Sequence, residues 1–162
     1  MSPTDTTPTG RFADRIAELG LTLPPPPKPV AAYIPAVRTG NLLYVSGQIP
    51  IREGNLVSTG PVPSRASIEQ AVEAARQCTL NALAVVAGEL NGHLDRVSRI
   101  VRVGVFVCSD PEFNDQPIVA NGASELIGEI FGDVGQHARA AVGSVALPLS
   151  ATVELEMIVE VE

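Results

Sequence analysis

The chain has 162 residues, 45% hydrophobic and 18% charged, which suits one globular domain with a substantial core and argues against a second. Its 11 Lys+Arg against 18 Asp+Glu give a net charge of -7, a sign that repels polyanions and disfavours both a nucleic-acid partner and an anionic membrane. Two cysteines, Cys78 and Cys108, fall in different expected elements, too few for a secreted disulfide framework, and read as free buried thiols.

The segment up to Pro8 is polar and rich in Pro and Thr, without the basic stretch and apolar core of a leader peptide, and reads as disordered. No apolar run elsewhere is long enough to span a bilayer, so a cytoplasmic location is expected. Phe12, Ile16 and Leu19 recur at helical spacing before Gly20, predicting a short helix over Arg11 to Leu19. Pro24 to Pro27 then impose an extended, donor-poor strap. Residues 1–30 together read as an N-terminal extension with a helix and a proline-rich strap, ahead of a domain over 31–162.

Ala31 to Arg38 and Leu42 to Ser46 flank Thr39-Gly40-Asn41 and predict an antiparallel hairpin. Ile51 to Arg65 carries turn residues and reads as a loop with one short strand near Leu56. Ser67 with Gln70 forms a capping-box pattern ahead of an apolar stripe through Ile68, Val72, Ala75, Thr79, Ala82, Leu83 and Val86, predicting a helix to about Gly88. Glu69, Glu73, Arg76 and Gln77 fall on its opposite, solvated face. The β-branched run Ser98 to Val107 predicts a long strand with a close approach or bulge at Gly104. A second main helix is expected over Gln116 to Phe131. Ala138 to Val145 and Ala151 to Val161 then form two strands joined across Leu147-Pro148-Leu149, the last with period-two alternation. This order predicts an α+β fold with two helices on one sheet face. The other face must be covered, and association of copies is the natural means.

Within this frame Arg139 stands out as a guanidinium in a small-residue strand, His137-Ala138-Arg139-Ala140-Ala141-Val142-Gly143. It reads either as a carboxylate clamp or as one half of an ion pair across an interface. Glu154 and Glu156 share a strand face by alternation, a pattern that in a terminal strand more often marks a solvated edge. Ser46-Gly47, closing a hydrophobic strand, offers backbone N–H groups to a ligand or simply makes a turn. His93 belongs to a helix-to-strand turn, and His137, two residues before Arg139 and so on the same face of a strand, is not expected to take part in an Arg139 pocket. Two histidines and two cysteines at unrelated spacings make no zinc set, and neither a dinucleotide-binding glycine motif nor a Walker motif occurs.

Four blocks occur in order: Leu43-Tyr44-Val45-Ser46-Gly47-Gln48-Ile49-Pro50, Gly92-His93-Leu94-Asp95-Arg96-Val97, Val103-Gly104-Val105-Phe106-Val107, and the Arg139 block continuing through Leu147-Pro148 to Thr152-Val153-Glu154-Leu155-Glu156. From about Tyr33 to the C-terminus the chain resembles the reactive intermediate deaminase family, also called YjgF-like or RidA. The resemblance implies a chorismate-mutase-like protomer and a homotrimer whose sheets form a central barrel, with ligand pockets between neighbours. It also implies hydrolysis of reactive 2-imino or enamino acids to 2-keto acids and ammonia, without cofactor or metal. The expected ligand is therefore a small carboxylate, an imino or keto acid.

Residue by residue, Arg139 reproduces the family's Ala-Arg-x-x-Val-x-x-x-x-Leu-Pro context and takes the place of its carboxylate-binding arginine. Glu154 takes the place of the glutamate that positions or deprotonates the hydrolytic water. Gly47 corresponds to the glycine beside the pocket, with Ser46 adding a hydroxyl. Tyr33 matches the pocket tyrosine, although Pro35 stands where members often have Gln, which leaves a core or rim tyrosine open. Asn121 matches a cleft asparagine, a residue that a helix N-cap would also explain. Ala141, where some branches carry cysteine, offers the site only backbone groups. A non-catalytic trimer that binds small carboxylates, or regulates partners through the same clefts, is the alternative function.

Overall fold

The computed structural model describes residues 7–26 and 32–162. Pro27, the end of the expected strap, and Ala31, the expected start of the first strand, lie outside them. The first helix, α1 (Arg11–Glu18), places Phe12 and Ile16 in the core, where the Phe12 ring meets that of Phe131 at 4.6 Å between centroids. Glycine stands at its N-cap and supplies no side-chain acceptor. Asp95, distant in sequence, takes that part: its carboxylate accepts from the N–H groups of Arg11 at 3.0 Å and Phe12 at 3.4 Å. A Cβ on Gly10 would overlap this carboxylate, so the bare backbone is what lets Asp95 approach.

The hairpin β1 (Ala36–Thr39) and β2 (Leu42–Gln48) turns at Gly40, whose φ is 58°, a conformation suited to glycine in a two-residue turn. Where a loop with one short strand is expected, two form and pair: β3 (Ile51–Arg52) and β4 (Asn55–Leu56). The long helix α2 (Ile68–Glu89) begins with both capping-box hydrogen bonds. Its supposedly solvated face needs correction at Gln77, which is 4% exposed. The β3–β4 hairpin folds over that side of α2, so Arg52 donates to Gln77 at 2.7 Å and pairs with Glu73 at 2.5 Å. Asn81, bonded to Gln77, donates to the carbonyls of Ile49 and Ile51. Burial without these partners would be costly for each amide side chain.

The remaining elements are β5 (Val97–Cys108), α3 (Gln116–Phe131), β6 (Ala138–Ser144) and β7 (Val153–Val161). The five-stranded sheet runs β1-β2-β7-β5-β6, antiparallel except where β6 lies parallel to β5. Thus β6 and β7, consecutive in sequence, are separated by β5. The irregularities of β5 fall at its start, between Val97 and Arg102, rather than at Gly104. Gly104 instead supplies a close approach, because a Cβ there would crowd the Glu156 and Arg102 side chains.

Alternation divides the sheet. Leu43, Val45, Ile100, Val103, Val105, Leu155, Met157 and Val159 are buried beneath α2 and α3, each contributing about 1.5–3 kcal/mol on burial. The opposite face carries Tyr44, Phe106, Val142 and Ile158 around the ion pair Arg102–Glu156, 2.8 Å long. No helix of the chain covers this second face among the described residues.

Candidate functional site

Arg139 lies on the edge strand β6 opposite Val103, a buried residue of the helix-covered face. It therefore points toward α3, where Asn121 and Ser124, three residues apart, share one helix face. One terminal nitrogen, Nη1, donates to Asn121 Oδ1 at 2.9 Å and to Ser124 Oγ at 3.1 Å. Nε and Nη2 have no partner among the described residues, so one edge of the fork is anchored and the other stays open. That open edge suits a carboxylate, which a guanidinium binds through two parallel N–H groups. A concavity of about 360 Å³ adjoins it, lined in part by Arg139, Ser124, Gln136 and His137.

Asn121 sits inside α3, whose N-cap position is Asp115, so capping does not account for it. Ala141 shares the face of Arg139 by alternation and packs against the core. His137 is hydrogen-bonded to Ser124 and to the Gly135 carbonyl. His93 lies elsewhere, bonded to Thr9 in the N-terminal arm.

A second group forms around β2. Val45 pairs with Met157 but Gln48 with Leu155, so an extra residue bulges out at Ser46 and Gly47. Ser46 Oγ donates to the Ile34 carbonyl at 2.8 Å, and its N–H donates to the Pro35 carbonyl at 2.9 Å. These bonds tie the segment bearing the half-exposed Tyr33 to the bulge. Gly47 backs directly onto Glu154, and a Cβ there would overlap Glu154 Oε1. Glu154 is partly buried and accepts no hydrogen bond among the described residues, whereas Glu156 is held by Arg102. Burial raises the Glu154 pKa above its ordinary value, and the nearby Glu156 charge raises it further.

The two groups do not meet within one chain. Glu154 pairs with Phe106 on the open face, while Arg139 faces the helices two strands away. At the usual strand spacing and rise, two strands across is about 10 Å and three residues along is about another 10 Å. The residues thus fall into two separate groups, Arg139 with Asn121, and Glu154 against Gly47 in the bulge where Ser46 bonds to the Ile34 and Pro35 carbonyls next to Tyr33. Ser124 is the polar neighbour that sequence reading passes over. Its spacing from Asn121 was the available signal, but the packing of β6 on α3 was needed to use it. No group of three or more metal-capable side chains occurs among the described residues.

Residues 25–161 match the family model described as endoribonuclease L-PSP, the YjgF/RidA family. The chain belongs to this family. Protein TCP17 of Trypanosoma cruzi is 42% identical over 153 residues, covering 94% of this chain and 95% of that protein. The 2-iminobutanoate/2-iminopropanoate deaminase of Dermatophagoides farinae is 34% identical over 143 residues, covering 88% and 95%. The crystal structure of Atu1372 from Agrobacterium tumefaciens, a protein described as of unknown function, has a TM-score of 0.88 at 45% identity and covers 94% of each chain. The YjgF/RidA family thus contains an imine deaminase similar to this chain, and the mixed α+β fold is that of its solved members.

Proposed function

We propose that this YjgF/RidA-family protein hydrolyses reactive 2-imino or enamino acids to 2-keto acids and ammonia, in clefts between copies of a homotrimer. The observation that carries the reading is the open Nε/Nη2 edge of Arg139, held toward solvent by Asn121 and Ser124 on its other side. The edge binds the substrate carboxylate and fixes the C=N carbon. As the oxygen of a water bonds to that carbon, Glu154 from a neighbouring copy takes the water proton and the C=N π pair moves onto the protonated imine nitrogen, giving a carbinolamine. Glu154 then returns its proton to that nitrogen, the C–N bond breaks with release of ammonia, and the hydroxyl loses its proton to leave the keto group and the free carboxylate of Glu154. Gly47 contributes close backbone, Ser46 holds the segment of Tyr33, and Ala141 shapes the wall beside Arg139. Positioning and one base suffice, with no cofactor.

The elevated affinity of Glu154 for its proton supports the role, because a base works best with a pKa nearer the working pH. The uncovered sheet face, with apolar side chains around one ion pair, supports association. Cleavage of RNA, which the family description evokes, finds less support: a net charge of -7 opposes the phosphate contacts on which nucleic-acid affinity depends.

The test is an assay in which an amino-acid oxidase generates 2-iminopropionate and longer imines in situ, and their loss is followed with and without the protein. Faster loss is expected with wild type. Arg139→Lys keeps the charge but loses the planar fork, and should lower kcat/KM roughly ten- to a hundredfold, the worth of a charged hydrogen bond of about 1.5–3 kcal/mol. Its assembly state should not change. Wild-type rates in a properly assembled Arg139→Lys protein would refute the clamp.

A further inference from the structure

Arg139 is anchored by more than one layer. His137 Nδ1 lies 2.6 Å from the Gly135 carbonyl oxygen. A carbonyl only accepts, so Nδ1 carries the proton. In neutral imidazole Nε2 is then a bare acceptor, and it stands 3.0 Å from Ser124 Oγ. The Ser124 hydroxyl donates there, which turns its oxygen lone pairs toward Arg139 Nη1 at 3.1 Å. Each bond sets the direction of the next, from Gly135 through His137 and Ser124 to the guanidinium.

From this geometry we infer that Ser124 and His137 are positioning residues that fix the plane of the Arg139 guanidinium and so set its affinity for the substrate carboxylate. Asn121 holds the other hydrogen of Nη1. Two acceptors on one nitrogen define a plane; a single acceptor leaves the group free to swing about that bond. The carboxylate edge, Nε and Nη2, is aimed only while both acceptors are present. Hydrogen-bonded partners that fix a ligating or binding side chain commonly act in this indirect way. The inference rests on the deaminase reading for its functional consequence, but not for its structural one.

The test uses the full-length protein and pyruvate as the probe. Ser124→Ala should weaken pyruvate binding by calorimetry about fivefold to tenfold, within the ordinary net worth of one hydrogen bond, because the lost bond aims Arg139 and does not itself touch the ligand. In the imine assay KM should rise while kcat changes much less. His137→Leu should behave similarly, whereas His137→Gln, which keeps an acceptor where Nε2 stood, should restore near wild-type binding. Two NMR readouts need no ligand. The His137 ring should show the Nδ1–H tautomer in its nitrogen shifts, and Arg139 guanidinium rotation should quicken in Ser124→Ala. An Nε2–H tautomer, unchanged rotation, or wild-type pyruvate affinity in folded Ser124→Ala would each overturn the inference. If wild type binds no pyruvate and turns over no imine, the deaminase reading fails, and the tautomer and rotation still decide whether the pair positions Arg139.

Discussion

Glu154 and Glu156 show how two carboxylates one alternation apart acquire different chemistry. Arg102 forms an ion pair with Glu156 at 2.8 Å, while Glu154 rests against the bare backbone of Gly47 with no bonded partner among the described residues. Burial first, and the Glu156 charge second, raise the Glu154 pKa above its ordinary value of 4.5. A general base acts when deprotonated, so the rate should fall as pH drops through this raised value. The acidic limb of kcat should therefore lie above pH 4.5. Glu154→Gln nearly keeps the shape while removing the basicity, and should lower kcat about a hundredfold or more, erase that limb and preserve pyruvate binding. An unchanged acidic limb in the variant would assign it to another group.

At the scale of elements, α1 is held to the domain by a borrowed cap. Its own N-terminus supplies glycine, and the carboxylate of Asp95 reaches its first N–H groups across the fold. Asp95→Ala should cost α1 about 0.5–2 kcal/mol, the usual worth of an N-cap. Hydrogen exchange of the α1 amides should quicken roughly two- to thirtyfold, with little change in the β7 and α2 amides. Exchange as slow as wild type would mean that Phe12 and Ile16 packing alone secures the helix. The β2 bulge is a second device of this scale, since the extra residue at Ser46–Gly47 brings glycine backbone over Glu154.

At the scale of the molecule, the separation of Arg139 from Glu154 onto opposite sheet faces has a direct consequence for the proposed catalyst. If each cleft takes Arg139 from one copy and Glu154 from the next, neither residue alone is lost to every cleft in a mixed assembly. Unfolding together and refolding equal amounts of Arg139→Lys and Glu154→Gln chains should regenerate intact clefts. In a closed ring of randomly mixed subunits about a quarter of clefts would carry both native residues. Activity near that fraction of wild type is expected, together with a trimer mass by light scattering. No recovery in a well-mixed trimer would mean that one chain supplies both residues, and a stable monomer would remove the cleft altogether.

Local rules made much of the chain legible. The capping box of Ser67 and Gln70, the stripe along α2, the span of α3 and the alternation of β7 depend on neighbours in sequence, so period and punctuation suffice to read them. The family blocks around Gly47, Arg139 and Glu154 were legible for the same reason, as residue types at set spacings. What depends on partners far along the chain was not. Gln77 became buried because the β3–β4 hairpin folds over α2, and Asp95 became the cap of α1 because a turn near residue 95 meets the N-terminal arm. Ser124 joined Arg139 only because β6 runs parallel to β5 beneath α3. The sheet order, which inserts β5 between β6 and β7, sends Arg139 and Glu154 to different faces. Spacing along a chain carries no such sign, because faces are assigned by strand pairing and packing rather than by sequence distance.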